Sequence, residues 1–303
     1  MLTAKHRTAA VLILALCLSG WSRRAQAQAA PESARSARYY ALHGGAITGV
    51  LGATLVIHLL VHSYTPGRDF AWFPGDAGLR GQRSASAAEL SNQLIVLSLA
   101  EPLLVEVGSG VDAHFANASM VYAETVSTNL LLNGLTKIAW RRPRPYTYGV
   151  SARDDVQSTD RNLSFYSGHS STAFAAAISG GLLFAESAPN QASRLVVWGT
   201  QLGLAGATAN LRVMAGKHYY SDVVVGALVG SGIGIVVPVL HGERYAPKPA
   251  EYAAGGGGLL AGLLVTSLLP LHQDSPPNRA NVDWMLAPWA PPGGVGAAAV
   301  GRF

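Results

Sequence analysis

Three short stretches of the chain carry side chains suited to handling phosphate. The first runs Lys137-Ile-Ala-Trp-Arg-Arg-Pro-Arg144-Pro145 and the second Ser164-Phe-Tyr-Ser-Gly-His-Ser-Ser171. The third is Arg212-Val-Met-Ala-Gly-Lys-His218-Tyr-Tyr-Ser-Asp222. They bring the cations Lys137, Arg144 and Arg212, the imidazoles His169 and His218, and the carboxylate of Asp222. Phosphoryl transfer through a covalent intermediate needs such a set. Cations and oriented N–H groups hold the phosphoryl oxygens and neutralise charge as it builds. One imidazole attacks phosphorus while a carboxylate fixes its tautomer. The other imidazole protonates the leaving oxygen. This chemistry requires no metal.

The elements that must position these groups are legible around them. An uncharged apolar run, residues 172–185, follows Ser167-Gly168-His169, so a helix should begin there. The first N–H groups of a helix have no internal partner and carry positive partial charge, which makes Ser167 and Gly168 part of a phosphate cradle. Lys137 and Arg144 are seven residues apart, two turns of a helical face. Pro143 and Pro145 end that helix, leaving Lys137 in its last turn. Gly216 suggests a break between Arg212 and His218, and His218 and Asp222 share a face at i, i+4 if helical.

With these residues in place, the sequence resembles the type 2 phosphatidic acid phosphatase superfamily, which includes bacterial acid phosphatases and vanadium haloperoxidases. The family pattern is K-x6-RP, then PSGH, then SR-x5-H-x3-D. This chain supplies Lys137 with Arg144-Pro145, then Tyr166-Ser167-Gly168-His169, then Leu211-Arg212 with His218 and Asp222. Tyr166 stands in place of the proline and Leu211 in place of the serine. The resemblance covers roughly residues 90–241. It implies His218 as nucleophile, His169 as general acid and Asp222 as the partner of His218. It also implies Lys137, Arg144, Ser167, Gly168 and Arg212 as phosphate ligands. No cofactor is implied, and vanadate is expected to inhibit. The activity implied is metal-independent hydrolysis of phosphate monoesters or lipid phosphates through a phosphohistidine. Two alternatives share the same residues: a haloperoxidase in which His218 ligates vanadate, and a catalytically silent membrane or scaffold bundle.

Composition narrows the setting. Charged residues make up 13% of the 303, against ~25% in soluble domains, and 49% are hydrophobic. That leans towards a membrane or a very apolar bundle. Six of the 22 Lys and Arg fall between Lys137 and Arg161, as an anionic-substrate site would require. Nothing resembles a nucleic-acid module. The single cysteine, Cys17, rules out a disulfide within the chain, and the nine histidines include no HExxH.

Along the chain, residues 1–27 read as a secretory signal peptide, with Lys5 and Arg7 ahead of a short apolar core and Ala25-Gln26-Ala27 as the cleavage site. Residues 28–89 form a linker, an apolar helix at 44–61 and a loop at 63–89 that reads as plain surface. Residues 90–241 form the helical core, with helices at 90–108, 118–137, 170–185, 193–211 and 222–240. The fold expected is all-α, a bundle of about six helices with the active site at one end. Gly226, Gly230, Gly232 and Gly234 in the last of these permit close helix packing. Residues 242–303 form an extension with an optional further helix at 255–269, then a short β-ribbon or flexible tail. Glu101, Glu106 and Glu124 inside apolar helices are expected to hydrogen-bond within the bundle, since charges are costly in lipid. The protein is expected to be exported, on the periplasmic side and membrane-associated.

Overall fold

The computed structural model describes residues 37–60, 70, 73–148, 160–274, 284–289 and 296–301. The expected signal peptide lies outside these residues. Among them are seven α-helices: α1 (Ala37–Leu60), α2 (Ala85–Ser109), α3 (Ala113–Trp140), α4 (Gly168–Ser187), α5 (Gln191–Met214), α6 (Tyr220–Leu240) and α7 (Pro249–Leu268). The fold is therefore an all-α bundle with one helix more than the six expected. That helix is the optional one of the extension, begun earlier than expected. Pro249 opens it, and the Glu251 carboxylate accepts from the Lys248 N–H at 3.0 Å. Beyond it, β1 (Trp284–Trp289) pairs antiparallel with β2 (Gly296–Gly301), the expected ribbon.

Side-chain caps set most of the helix starts. Ser84 caps α2, Asp112 caps α3, Ser167 caps α4 and Asn190 caps α5, each accepting from an N–H three residues on. Each such cap contributes about 1 kcal/mol. α3 ends where Arg141 turns into the left-handed region at φ 45°, just before Pro143.

Helix directions alternate so that one end of the bundle collects the chemistry. α3 and α5 run towards that end and deliver Lys137 and Arg212 in their last turns. α4 and α6 start from it, α4 at Gly168 and α6 at Tyr220. α2 also starts there, and Asp274 after α7 accepts from the Ala85 N–H at 2.7 Å. α1 lies parallel to α3: Tyr40 meets Asn117, His43 meets Glu124, and Ile57 sits beside Gly134.

Glycines govern the closest helix contacts. α6 lies parallel against α4, and a Cβ on Gly226, Gly230 or Gly234 would sit 2.7, 2.0 or 2.9 Å from the carbonyl oxygens of Ser167, Ser171 and Ala175. Gly232, expected to share this role, faces open space. α7 lies parallel against α5 in the same way, with Gly258 and Gly262 on the carbonyls of Gly199 and Gly203.

The internal carboxylates have partners, as expected. Glu101 accepts from Thr200 at 3.2 Å, Glu106 from Ser187 at 3.3 Å, and Glu124 meets His43 and His241. The outward faces are apolar: Val96 and Leu104 on α2, Leu228 on α6 and Leu260 on α7 are each more than 60% exposed. Among the described residues, three helices are long and apolar enough to cross a membrane: α1, α2 and α6.

Candidate active site

Lys137, Arg144, His169, Arg212 and His218 converge at the collecting end. Their charges act on one another. Burial and then Arg144 and Arg212 push the Lys137 amine down to about 7. Burial together with Arg212, Lys137 and Arg144 pushes His169 down to about 2. His218, 1% exposed, is held well below its ordinary value by burial and the same cations. A cluster this positive favours a bound anion, and an anion between these groups would oppose each shift.

The α4 N-terminus completes the cradle. Ser167 is fully buried and accepts from the Ser170 N–H at 3.3 Å, while its own N–H donates to the Asp222 carbonyl at 3.0 Å. A Cβ on Gly168 would lie 3.7 Å from the Lys137 amine and 2.8 Å from Asn133 Oδ1. Glycine therefore lets the helix start approach the lysine. Asn133 in turn donates to the Tyr166 carbonyl at 2.9 Å, anchoring the residue that stands in the place of the family proline.

The arginines are held by fixed acceptors. Arg144 donates from Nε to the Asp160 carbonyl at 2.9 Å and pairs through Nη2 with the Asp160 carboxylate at 3.0 Å. Arg212, 5% exposed, donates to Ser91 Oγ at 3.1 Å. Gly216 makes the expected break after it, with φ +66°, and a Cβ there would collide with the Gln82 carbonyl at 1.7 Å. The turn swings His218 back, and its N–H donates to the Arg212 carbonyl at 3.3 Å.

The tautomer of His218 is set differently from expectation. Its Nδ1 lies 2.8 Å from the Ser164 carbonyl and 3.7 Å from Asp222 Oδ2. A carbonyl oxygen only accepts, so Nδ1 carries the proton and Nε2 presents its lone pair. The Asp222 carboxylate is occupied otherwise. It accepts from Ser164 Oγ at 2.5 Å, from the Tyr219 N–H at 2.9 Å and from Arg142 Nη1 at 2.6 Å. Asp222 thus fixes the loop that carries the Ser164 carbonyl and acts on His218 through it.

Several supporting residues carry no local sequence signal. Arg142 is fully buried between Asp222 and Asp76, stacked at 3.9 Å on the Tyr219 ring. Asp76 also accepts from the Ser221 N–H and hydroxyl at 3.2 and 2.6 Å. It belongs to the loop read as plain surface; its burial corrects that reading, because two donors and an arginine draw the carboxylate inward. His169 donates from Nε2 to Asn92 Oδ1 at 3.0 Å. An adjacent second arginine in the first motif was the one available hint, for Arg142. Asp76, Ser91 and Asn92 are non-local partners that no spacing rule finds.

Residues 118–246 match the family model described as the PAP2 superfamily, and the match contains Lys137, Arg144, His169, Arg212, His218 and Asp222. An acid phosphatase of Zymomonas mobilis subsp. mobilis is 24% identical over 179 residues, 58% of this chain. The chain spans 63% of the length of that relative. No solved structure gives a significant match. Residues 118–246, the stretch that carries the site, are thus similar to the PAP2 superfamily.

Proposed function

We propose that the protein is a metal-independent phosphatase that hydrolyses phosphate monoesters or lipid phosphates through a phosphohistidine on His218. The observation that carries this reading is the buried His218 ring. Its Nδ1–H is committed to the Ser164 carbonyl, so Nε2 alone is free to attack among Lys137, Arg144 and Arg212. The P–N bond forms as the P–O bond breaks. His169, protonated once the phosphate charge is beside it, gives its proton to the leaving oxygen. Water then attacks phosphorus, returns a proton to His169 and frees His218 with inorganic phosphate. The α4 N–H groups and the three cations hold the equatorial oxygens throughout.

The apolar outer faces support membrane association, and with it a lipid-borne phosphate as substrate; the protein acts from the periplasmic side. Vanadate, whose trigonal bipyramid resembles the transferring phosphoryl group, should inhibit competitively.

The test is turnover of an aryl phosphate and of phosphatidic acid by the purified chain in EDTA, with rapid quench for an acid-labile phosphoenzyme. His218→Ala should lose both the intermediate and turnover by at least about 10³-fold, the scale for loss of a catalytic nucleophile. A fully active His218→Ala protein would sink the mechanism.

A further inference from the structure

Far from the phosphate site, three potential ligands from three different helices meet. His43 belongs to the first turns of α1, Glu124 to the middle of α3, and His241 caps the C-terminus of α6. The Glu124 carboxylate, 2% exposed, puts one oxygen against each ring. His43 Nδ1 contacts Oε1, and His241 Nε2 lies 2.9 Å from Oε2. The two imidazole rings stand 5.2 Å apart, centre to centre. One ligand atom from each residue lies within 4.8 Å of the other two. That is close enough for a single ion, with bonds of about 2.0–2.2 Å, to reach all three after small side-chain adjustments.

The hydrogen bonding points to a cation. His241 Nδ1 lies 2.9 Å from the Val237 carbonyl, which can only accept, so Nδ1 carries a proton. In the neutral ring Nε2 then carries only a lone pair, 2.9 Å from Glu124 Oε2. That oxygen accepts no hydrogen bond, although it is buried. A lone pair and a carboxylate oxygen this close repel unless a second proton or a metal ion is shared by them. A ligating imidazole whose other nitrogen is fixed by a backbone carbonyl is the arrangement that orients metal-bound histidines. Two imidazoles and one carboxylate, with a further position open to water, suit zinc and its neighbours better than magnesium or calcium.

We propose that His43, Glu124 and His241 form a binding site for a zinc-class divalent cation. The inference does not depend on the phosphatase reading. Glu124 lies 13 residues before Lys137 on α3, roughly 20 Å at 1.5 Å per residue, so the ion takes no part in phosphoryl transfer. Its role is mechanical. α1 packs chiefly along α3, and a shared ion ties it to the middle of α3 and the C-terminal end of α6. The side chains of His43 and His241 are 15% and 11% exposed, which leaves the ion a way in.

The experiment uses the full chain, freed of any histidine tag, stripped with EDTA and titrated with zinc by calorimetry. One zinc per chain is expected, with a rise in Tm on binding. His43→Ala and His241→Ala should each weaken affinity by at least about tenfold, the lower end for disturbing a metal site. His272→Ala, at an exposed histidine, should bind as the parent does. Parent protein that takes up no zinc, or histidine variants that bind it undiminished, would overturn the site. Should a variant fold poorly, X-ray absorption at the zinc edge of the parent decides. Two imidazole nitrogens and a carboxylate oxygen are expected, and any other donor set counts against it.

Discussion

At the scale of single residues, the site works by holding positive charge in a confined space. Three cations beside the half-buried His169 and the buried His218, together with that burial, push both imidazoles towards neutrality and Lys137 down to about 7. This suits the role proposed for His218, because a nucleophile must be unprotonated. In the proposed mechanism His169 serves as acid only once a phosphate beside it raises its pKa, or when a monoanionic substrate brings the proton. Both routes need one proton more than the free dianion carries, and phosphate monoesters lose that proton near pH 6. Lys137 adds to the effect, since its charge is present below about pH 7 and lost above it. For an alkyl phosphate, kcat/KM should therefore fall on the alkaline side, by at least about tenfold between pH 6 and 8 at one decade per titrating proton. Lys137→Arg, which keeps its charge, should make the fall shallower. A profile flat from pH 6 to 9 would contradict this account of the charges.

The elements position these residues through backbone contact, and glycine decides how close two helices come. α4 carries the cradle at its N-terminus and α6 carries Asp222 in its first turn, so their register fixes where Ser167 lies relative to the His218 loop. The Gly230→Ala methyl would fall 2.0 Å from the Ser171 carbonyl, with no flexible side chain to yield. This substitution should destabilise the protein by about 1–3 kcal/mol, the usual cost of overpacking, and lower Tm accordingly. Gly232→Ala, two residues on and in open space, should be neutral or stabilising by up to about 1 kcal/mol through helix propensity. Equal Tm values for the two variants would mean that the α4–α6 contact does not set the register. The sequence alone made the helices visible, because apolar runs ending at Pro143, Gly216 and similar breakers are local signals. It made the reacting groups visible through their spacing. It did not reveal that Ser164, not Asp222, faces His218 Nδ1, nor that Asp76 reaches Arg142. Those contacts join segments many residues apart, and only the packed bundle specifies them. Nor did it separate Gly232 from its neighbours, since the side of a helix that meets a partner depends on where that partner lies.

At the scale of the whole molecule, the alternation of helix directions bears on which way the site faces. The start of α1 and the phosphate site lie at opposite ends of the bundle, because α1 runs parallel to α3 and α3 ends at Lys137. A bundle that crosses a membrane would therefore hold residue 37 on one side and the site on the other. Cleavage of a signal peptide would leave the start of α1 outside and put the site of a crossing bundle in the cytoplasm. An exported bundle lying on the periplasmic surface has no such conflict. Glu101 and Glu106 on α2 and Glu124 on α3 favour that arrangement, since each is spent on a polar contact inside the bundle. Single cysteines distinguish the cases, with Cys17→Ser as background. Ser86, exposed at the start of α2, marks the site end, and Gln191, exposed at the start of α5, marks the other. In cells with a permeabilised outer membrane, an impermeant thiol reagent should label both Ser86→Cys and Gln191→Cys if the bundle rests on the periplasmic face. Labelling of Ser86→Cys alone would mean a crossing bundle with its site outward and residue 37 in the cytoplasm. Labelling of Gln191→Cys alone would put the site in the cytoplasm, refute the periplasmic assignment, and direct the search for substrate to phosphates of the inner leaflet.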